Sequence, residues 1–176
     1  MNAPHATHPG DGFRIGHGFD LHRLDPRPPA GDGRPLVVGG LTLEHDRGPV
    51  SHSDGDALLH AVTDALLGAL ALPDLGSLFP NDDPRNESAD SAIFVTEAVR
   101  RVREAGYAPV NLDATVILER PKIGPHREAI RANLARLLAV GTDRVNVKGK
   151  THERVDAVGE NRAIETHAVV LLGPTA

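Results

Sequence analysis

The stretch Ser51-His52-Ser53-Asp54-Gly55-Asp56-Ala57-Leu58-Leu59-His60 constrains this chain most. It gathers two serines, two histidines and two aspartates, then opens onto a helical pattern. Ala57, Leu58, Ala61, Val62, Ala65, Leu66 and Ala69 recur at spacings of three and four, which makes one apolar face. Asp54 or Asp56 suits the N-cap. The free N–H groups of the first turn form a natural seat for an anion. Asp56, His60 and Asp64 follow at intervals of four and share a face. One stretch thus offers a metal-ligand candidate with carboxylates beside it. The plain alternative is a capped helix with solvated polar groups.

Composition narrows the chemistry. A length of 176 residues suits one domain, and aromatics at 3% leave the core to Leu, Val, Ile and Ala. There is no cysteine, which excludes disulfides and zinc–thiolate sites. Any metal must sit on His, Asp and Glu, donors that suit zinc, manganese or magnesium. The net charge of -5 argues against a nucleic-acid surface, although local basic residues can hold a small phosphorylated ligand. Residues 1–12 read as a frayed tail without the pattern of a signal peptide. No segment approaches the apolar length of a membrane span. The expectation is one domain over residues 13–173, cytoplasmic, with neither membrane nor nucleic acid as a partner.

Phe13 to Leu21 reads as a strand in which Gly16 and Gly18 admit another backbone or a ligand at close range. Residues two apart on a strand share a side, so Asp20-x-His22 forms a two-ligand claw. A Pro/Gly/Asp-rich loop spans Arg23 to Arg34. A short hairpin turns at Gly39-Gly40, and the central helix runs to about Leu72. Leu72 to Asn86 mixes apolar anchors with polar tips, as binding loops do. A helix spans Asp90 to Gly106, capped by Ser88, Asp90 or Ser91 and closed by Gly106. Val110 to Leu118 alternates as a half-buried strand. A rigid turn from Arg120 to His126 leads into a helix ending near Ala139. Strands follow at Arg144–Lys150 and Ala163–Leu172, the last apolar enough to be central or covered on both faces. The fold class is α/β (α+β layered): a mixed β-sheet with helices packed on one face.

Several motifs stand in a common register: Gly16-His17-Gly18-Phe19-Asp20-x-His22, His52-Ser53-Asp54-Gly55-Asp56-x3-His60, Thr63-Asp64-Ala65-Leu66-Leu67-Gly68, Leu78-Phe79-Pro80, Ala89-Asp90-Ser91, Pro121-Lys122 and Val145-Asn146-Val147-Lys148. Together they resemble the 2-C-methyl-D-erythritol 2,4-cyclodiphosphate synthase family, from about Arg14 to Leu172. The resemblance implies a homotrimer with a central β core and active sites between subunits. It implies conversion of 4-diphosphocytidyl-2-C-methyl-D-erythritol 2-phosphate to the cyclic diphosphate and CMP, in the non-mevalonate isoprenoid route.

The same resemblance assigns residues. Asp20, His22 and His60 would hold zinc or another divalent transition metal, with Asp56 or Asp64 orienting His60. Glu153 would hold a second ion, magnesium or manganese, through the diphosphate. His52 and Thr151 would stabilise the transition state, with Ser53 beside His52. Asp20, Leu21 and His22 would also line the substrate site. Asp74, Leu75 and Gly76, with Phe79, Pro80, Asn81, Asp82 and Asp83, would grip the erythritol part. Leu118, Glu119, Arg120, Pro121, Lys122, Ile123 and Gly124 would form the cytidine pocket, with Lys122 near the phosphates. Lys150 and His152 flank Thr151. Two departures stand out: Asn81 where the family often has Asp, and Glu160 where it has an arginine in the trimer's central cavity. Arg162 lies two residues on. The rivals are a zinc hydrolase and a catalytically weak trimeric metal-binding scaffold.

Overall fold

Gly16 and Gly18 decide how the two layers meet. They lie in strand β1 (Arg14–Pro26), directly beneath helix α1 (Ala57–Ala69). A Cβ on Gly16 would stand 1.9 Å from Ala65 O, and one on Gly18 would stand 1.8 Å from Ala61 O. The glycines the sequence marks as a close approach are therefore where helix backbone touches strand backbone. The structure is a computed structural model that describes residues 12–80, 83 and 87–175.

Four further strands complete the main sheet: β4 (Arg47–Pro49), β5 (Tyr107–Ile117), β6 (Val145–Lys150) and β7 (Ala163–Pro174). Their order is β4-β1-β7-β5-β6. β7 pairs antiparallel with β1 and β5, while β5 and β6 run parallel, so the sheet is mixed. Helices α1, α3 (Ala92–Glu104) and α4 (Arg127–Leu138) cover one face. The core between the layers is built from Leu, Val, Ile and Ala, as the composition requires. β7 is central, as its apolar run predicts. Among the described residues only one of its faces is covered: Thr166, Ala168, Val170 and Leu172 are buried, but Val169 is exposed. Phe13, Ile15, Phe19 and Leu21 stand exposed on that same open face.

A hairpin of β2 (Leu36–Val38) and β3 (Leu41–Leu43) turns at Gly39 and Gly40, both with positive φ, as a tight two-residue turn demands. Its N–H groups point at Asp56. Gly39 N donates to Asp56 Oδ1 at 2.9 Å and Gly40 N donates to Oδ2 at 2.6 Å. Asp56 Oδ1 also caps α1, accepting from Leu59 N at 3.0 Å. Of the two cap candidates, Asp56 is the one used.

Several boundaries differ from the sequence reading. β1 continues through residues expected as loop, because Leu24, Asp25 and Pro26 pair with Pro49, Gly48 and Arg47. Pro and Gly read as loop, yet here they serve a short edge ladder. α1 stops at Ala69; Leu70 N turns back to Leu67 O and Ala71 takes a positive φ. Two single-turn helices, α2 (Leu75–Leu78) and α5 (Asp156–Gly159), lie inside expected loops. Residues 1–11 of the expected tail lie outside the described residues.

Candidate active site

Asp20 and His22 point from β1 toward the helical layer, on the side of Gly16 and Gly18. His60 comes down from the first turn of α1 to meet them. Asp20 Oδ2 lies 3.0 Å from His22 Nδ1 and 3.0 Å from His60 Nδ1. All three ligand atoms fall within 4.8 Å of one another. A tetrahedral ion with bonds of about 2.0–2.1 Å places its ligands roughly 3.3 Å apart, so the spacing fits one ion with a position left open. Burial alone would push the Asp20 carboxyl up. The adjoining His22 and His60 imidazoles outweigh that and hold it well below the usual range. The contact of His22 with Asp20 is close but lacks hydrogen-bond alignment: His22 Nδ1 is buried 3.0 Å from Asp20 Oδ2 and makes no aligned hydrogen bond among the described residues. Two imidazoles gathered on one buried carboxylate, with a ring nitrogen left short of an aligned hydrogen bond, are a donor set that fits a metal ion.

The other ring nitrogen of His60 faces hydroxyls. Nε2 is 2.9 Å from Ser91 Oγ and 3.2 Å from Ser53 Oγ. Neither aspartate expected to orient His60 reaches it. Asp56 is spent on the hairpin and the helix cap, and Asp64 Oδ1 accepts from Leu75 N at 2.7 Å, tying α2 to α1. Residues four apart share a helical face, but the His60 ring turns off that face toward β1. Ser91 is the partner that sequence reasoning missed. Its only signal was the Ala-Asp-Ser motif before α3.

A cleft of about 440 Å³ opens over the trio, lined also by Leu21, His52, Ser53, Asp74, Leu75 and Gly76. His52 Nε2 is buried and has no partner among the described residues, leaving it available to a ligand. Leu21 spends its N–H on Asp20 Oδ1. Asp74 caps α2; the Ser77 hydroxyl and N–H hold its carboxyl below the ordinary value. Phe79 packs on Phe94 with centroids 4.6 Å apart, beside a small adjoining hollow shared with His52. Pro80 is exposed, and Asp83 N donates to Pro80 O. Asn81 and Asp82 lie outside the described residues.

The remaining candidates gather elsewhere. Leu118, Lys122, Ile123, Gly124, Lys150, Thr151 and Glu153 line a second cleft of about 300 Å³. Thr151 Oγ1 donates to Glu153 Oε1 at 3.0 Å. Glu119, Arg120 and Pro121 line a neighbouring groove with Lys122. His152 turns away, its Nδ1 on Asp156 Oδ2 at 2.8 Å. Arg162 Nε donates to Glu160 Oε2 at 2.8 Å, so the cation beside the departure is held by that carboxylate. The two clefts have no lining residue in common. β6 lies three strands from β1, about 14 Å at ordinary strand spacing. Within one chain, Thr151, Glu153 and Lys122 do not meet the metal trio.

A family model described as the YgbB family matches residues 13–173. The chain is 59% identical over 160 residues to "2-C-methyl-D-erythritol 2,4-cyclodiphosphate synthase, chloroplastic" of Arabidopsis thaliana, covering 91% of this chain and 67% of that protein. It is 51% identical over 160 residues to the 2-C-methyl-D-erythritol 2,4-cyclodiphosphate synthase of Chromobacterium violaceum, covering 91% and 98%. The chain thus spans about two thirds of the plant relative and nearly all of the bacterial one. The solved structure "IspF (Plasmodium falciparum) CDP complex" superposes with a TM-score of 0.81 at 36% identity, over 94% of this chain and 98% of that one. The match runs through β1, α1 and the turn after β5, where the ligand trio and both clefts are built, and by it this chain belongs to the YgbB family.

Proposed function

We propose that this chain is a 2-C-methyl-D-erythritol 2,4-cyclodiphosphate synthase, closing its diphosphocytidyl substrate into the cyclic diphosphate with release of CMP. The observation that carries the reading is the convergence of Asp20, His22 and His60, one ligand atom from each within 4.8 Å of the others, in a cleft they line. Two imidazoles and a carboxylate suit zinc or another divalent transition metal. When bound, that ion supplies positive charge that offsets phosphate–phosphate repulsion.

The chain's own residues supply the rest. The nucleophile is the substrate's own 2-phosphate, already ionised, so the site needs no general base. A tether of this kind reaches effective molarities on the order of 10⁵ M or more when the geometry is held. The wall at Asp74, Leu75 and Gly76, with Phe79 behind it, holds the erythritol part. His52 lines the cleft and has a ring nitrogen with no partner among the described residues, and in this reading its N–H meets charge growing on a phosphate oxygen. In the second cleft the backbone from Leu118 to Gly124 takes the cytidine and Lys122 takes its phosphates. Thr151, whose hydroxyl donates to Glu153 in the free protein, would turn that hydrogen to the reacting phosphate once Glu153 is engaged by a cation. Glu153 takes a second ion, magnesium or manganese. The cytidine diphosphate named with the Plasmodium structure supports that ligand class.

Each cleft is then half of one site, completed by a neighbouring copy in a homotrimer. The open sheet face supports that assembly, with Ile15 at 72% exposure and Phe13 at 58% among its side chains. No described helix is long and apolar enough to cross a membrane. We place the reaction in the cytoplasm; the plant relative is named chloroplastic.

Phosphorus NMR of the protein with 4-diphosphocytidyl-2-C-methyl-D-erythritol 2-phosphate, zinc and magnesium tests the reading. A cyclic diphosphate with CMP is the expected product. A linear phosphate would point to the hydrolase, and persistent substrate over zinc-loaded protein to the scaffold.

A further inference from the structure

Ser91 holds the N-cap position of α3 yet makes no capping hydrogen bond with its side chain. A serine there ordinarily gives its oxygen to a first-turn N–H. Here Asp90 Oδ1 serves the turn instead, accepting from Ala92 N at 2.8 Å. The Ser91 side chain is fully buried and turned inward. Its hydroxyl donates to Asp54 Oδ1 and lies 2.9 Å from His60 Nε2. Asp54 Oδ2 accepts from Ser91 N at 3.1 Å, so one carboxylate grips this serine at two points. Asp54 is itself fixed, its N–H donating to Ala89 O at 3.0 Å.

A hydroxyl whose hydrogen is committed to a carboxylate has only lone pairs left to offer. His60 Nε2 must then be the donor to Ser91 Oγ. In this reading the ligating nitrogen is Nδ1, which contacts Asp20 Oδ2 at 3.0 Å and would give up that contact's hydrogen on binding a metal. Ser53 Oγ, the more distant neighbour of Nε2, accepts from Gly55 N at 3.2 Å, and its own hydrogen has no acceptor among the described residues apart from that nitrogen. With the Ser91 hydroxyl gone, Ser53 is free to donate to Nε2. The opposite tautomer would then turn a proton toward Asp20 and His22.

We propose that Asp54 and Ser91 act as a positioning relay for His60, fixing the ring plane and the Nε2–H tautomer so that Nδ1 is presented as a metal donor. Carboxylate-backed partners of ligating histidines tune metal affinity by about 10–100-fold. This inference rests on Asp20, His22 and His60 being the ligands.

The test titrates zinc into the full-length protein against a chromophoric chelator and follows the His60 ring by nitrogen NMR in the zinc-loaded state. Ser91→Ala is expected to weaken zinc about 10-fold or more, measured on metal-free protein shown to be folded by circular dichroism, since Asp54 also loses a buried donor. Ser91→Thr, which keeps the hydroxyl, restores affinity. Asp54→Asn weakens zinc as Ser91→Ala does, and the double variant is no worse than either alone. In unmutated protein the hydrogen sits on Nε2 and exchanges slowly with water, a result independent of whether any variant folds. Zinc bound as tightly by Ser91→Ala as by wild type, or a ring that ligates through Nε2, overturns the relay. Wild-type zinc affinity in His60→Ala would overturn the ligand assignment itself, a separate failure.

Discussion

Asp56 spends its carboxylate on three backbone N–H groups, from Gly39, Gly40 and Leu59, with no exposure to water. It pins the β2–β3 hairpin onto the first turn of α1, one turn before His60. Asp56→Asn replaces one acceptor oxygen by a donor and strands a buried N–H. The expected cost is about 1–3 kcal/mol in urea unfolding; an unchanged midpoint would show that the hairpin is held by packing alone. Gly18 is as unforgiving. A methyl there meets Ala61 O, and Gly18→Ala should cost about 1–3 kcal/mol or more through overpacking. It should also loosen zinc by lifting α1 off Asp20. Asp20 and His22 were legible because strand alternation turns a spacing of two into a shared side. Ser91 was not legible as a partner of His60. It lies 31 residues away, and its place before α3 gives a serine an ordinary reason to exist.

The elements follow the periodicities where they are long. α1, α3, α4, β5 and β7 stand where apolar spacing puts them, because a dozen residues give a face enough repeats to read. β4, α2 and α5 have three or four residues each, too few for a period, and exist through their neighbours. α2 is an instance: Asp74 caps it and Asp64 receives its first N–H. α3 carries its own surface electrostatics. Arg100 above all, with Arg101, draws the Glu97 carboxyl down to about 2 against the effect of burial. Its folded value lies below the ordinary 4.5, so its stabilisation is present above pH 4.5 and is lost as pH falls toward 2. Glu97→Gln should lose less thermal stability across that window than wild type in low salt. Parallel losses would show that the ion pairs contribute nothing measurable.

At the scale of the molecule, the sheet has one dressed face and one bare one, and the candidate residues fall into two clefts. Both facts have one cause if neighbouring copies pack sheet to sheet and bring one copy's metal trio to another's Lys122, Thr151 and Glu153. The fold class was readable from the chain, because layers follow from the order of elements. A site shared between copies was expected only through the family resemblance, not from residue spacing: the separation between β1 and β6 depends on sheet order, and β7 enters the middle from the end of the sequence. The most direct measurement is complementation. His60→Ala and Glu153→Ala proteins, each inactive alone, are co-refolded in equal amounts and assayed for CMP release. A site shared between copies predicts about a quarter of wild-type activity, the chance that an intact metal half faces an intact nucleotide half in a ring of mixed subunits. Co-assembled mixtures without activity would place the whole site within one chain and contradict the shared-site reading.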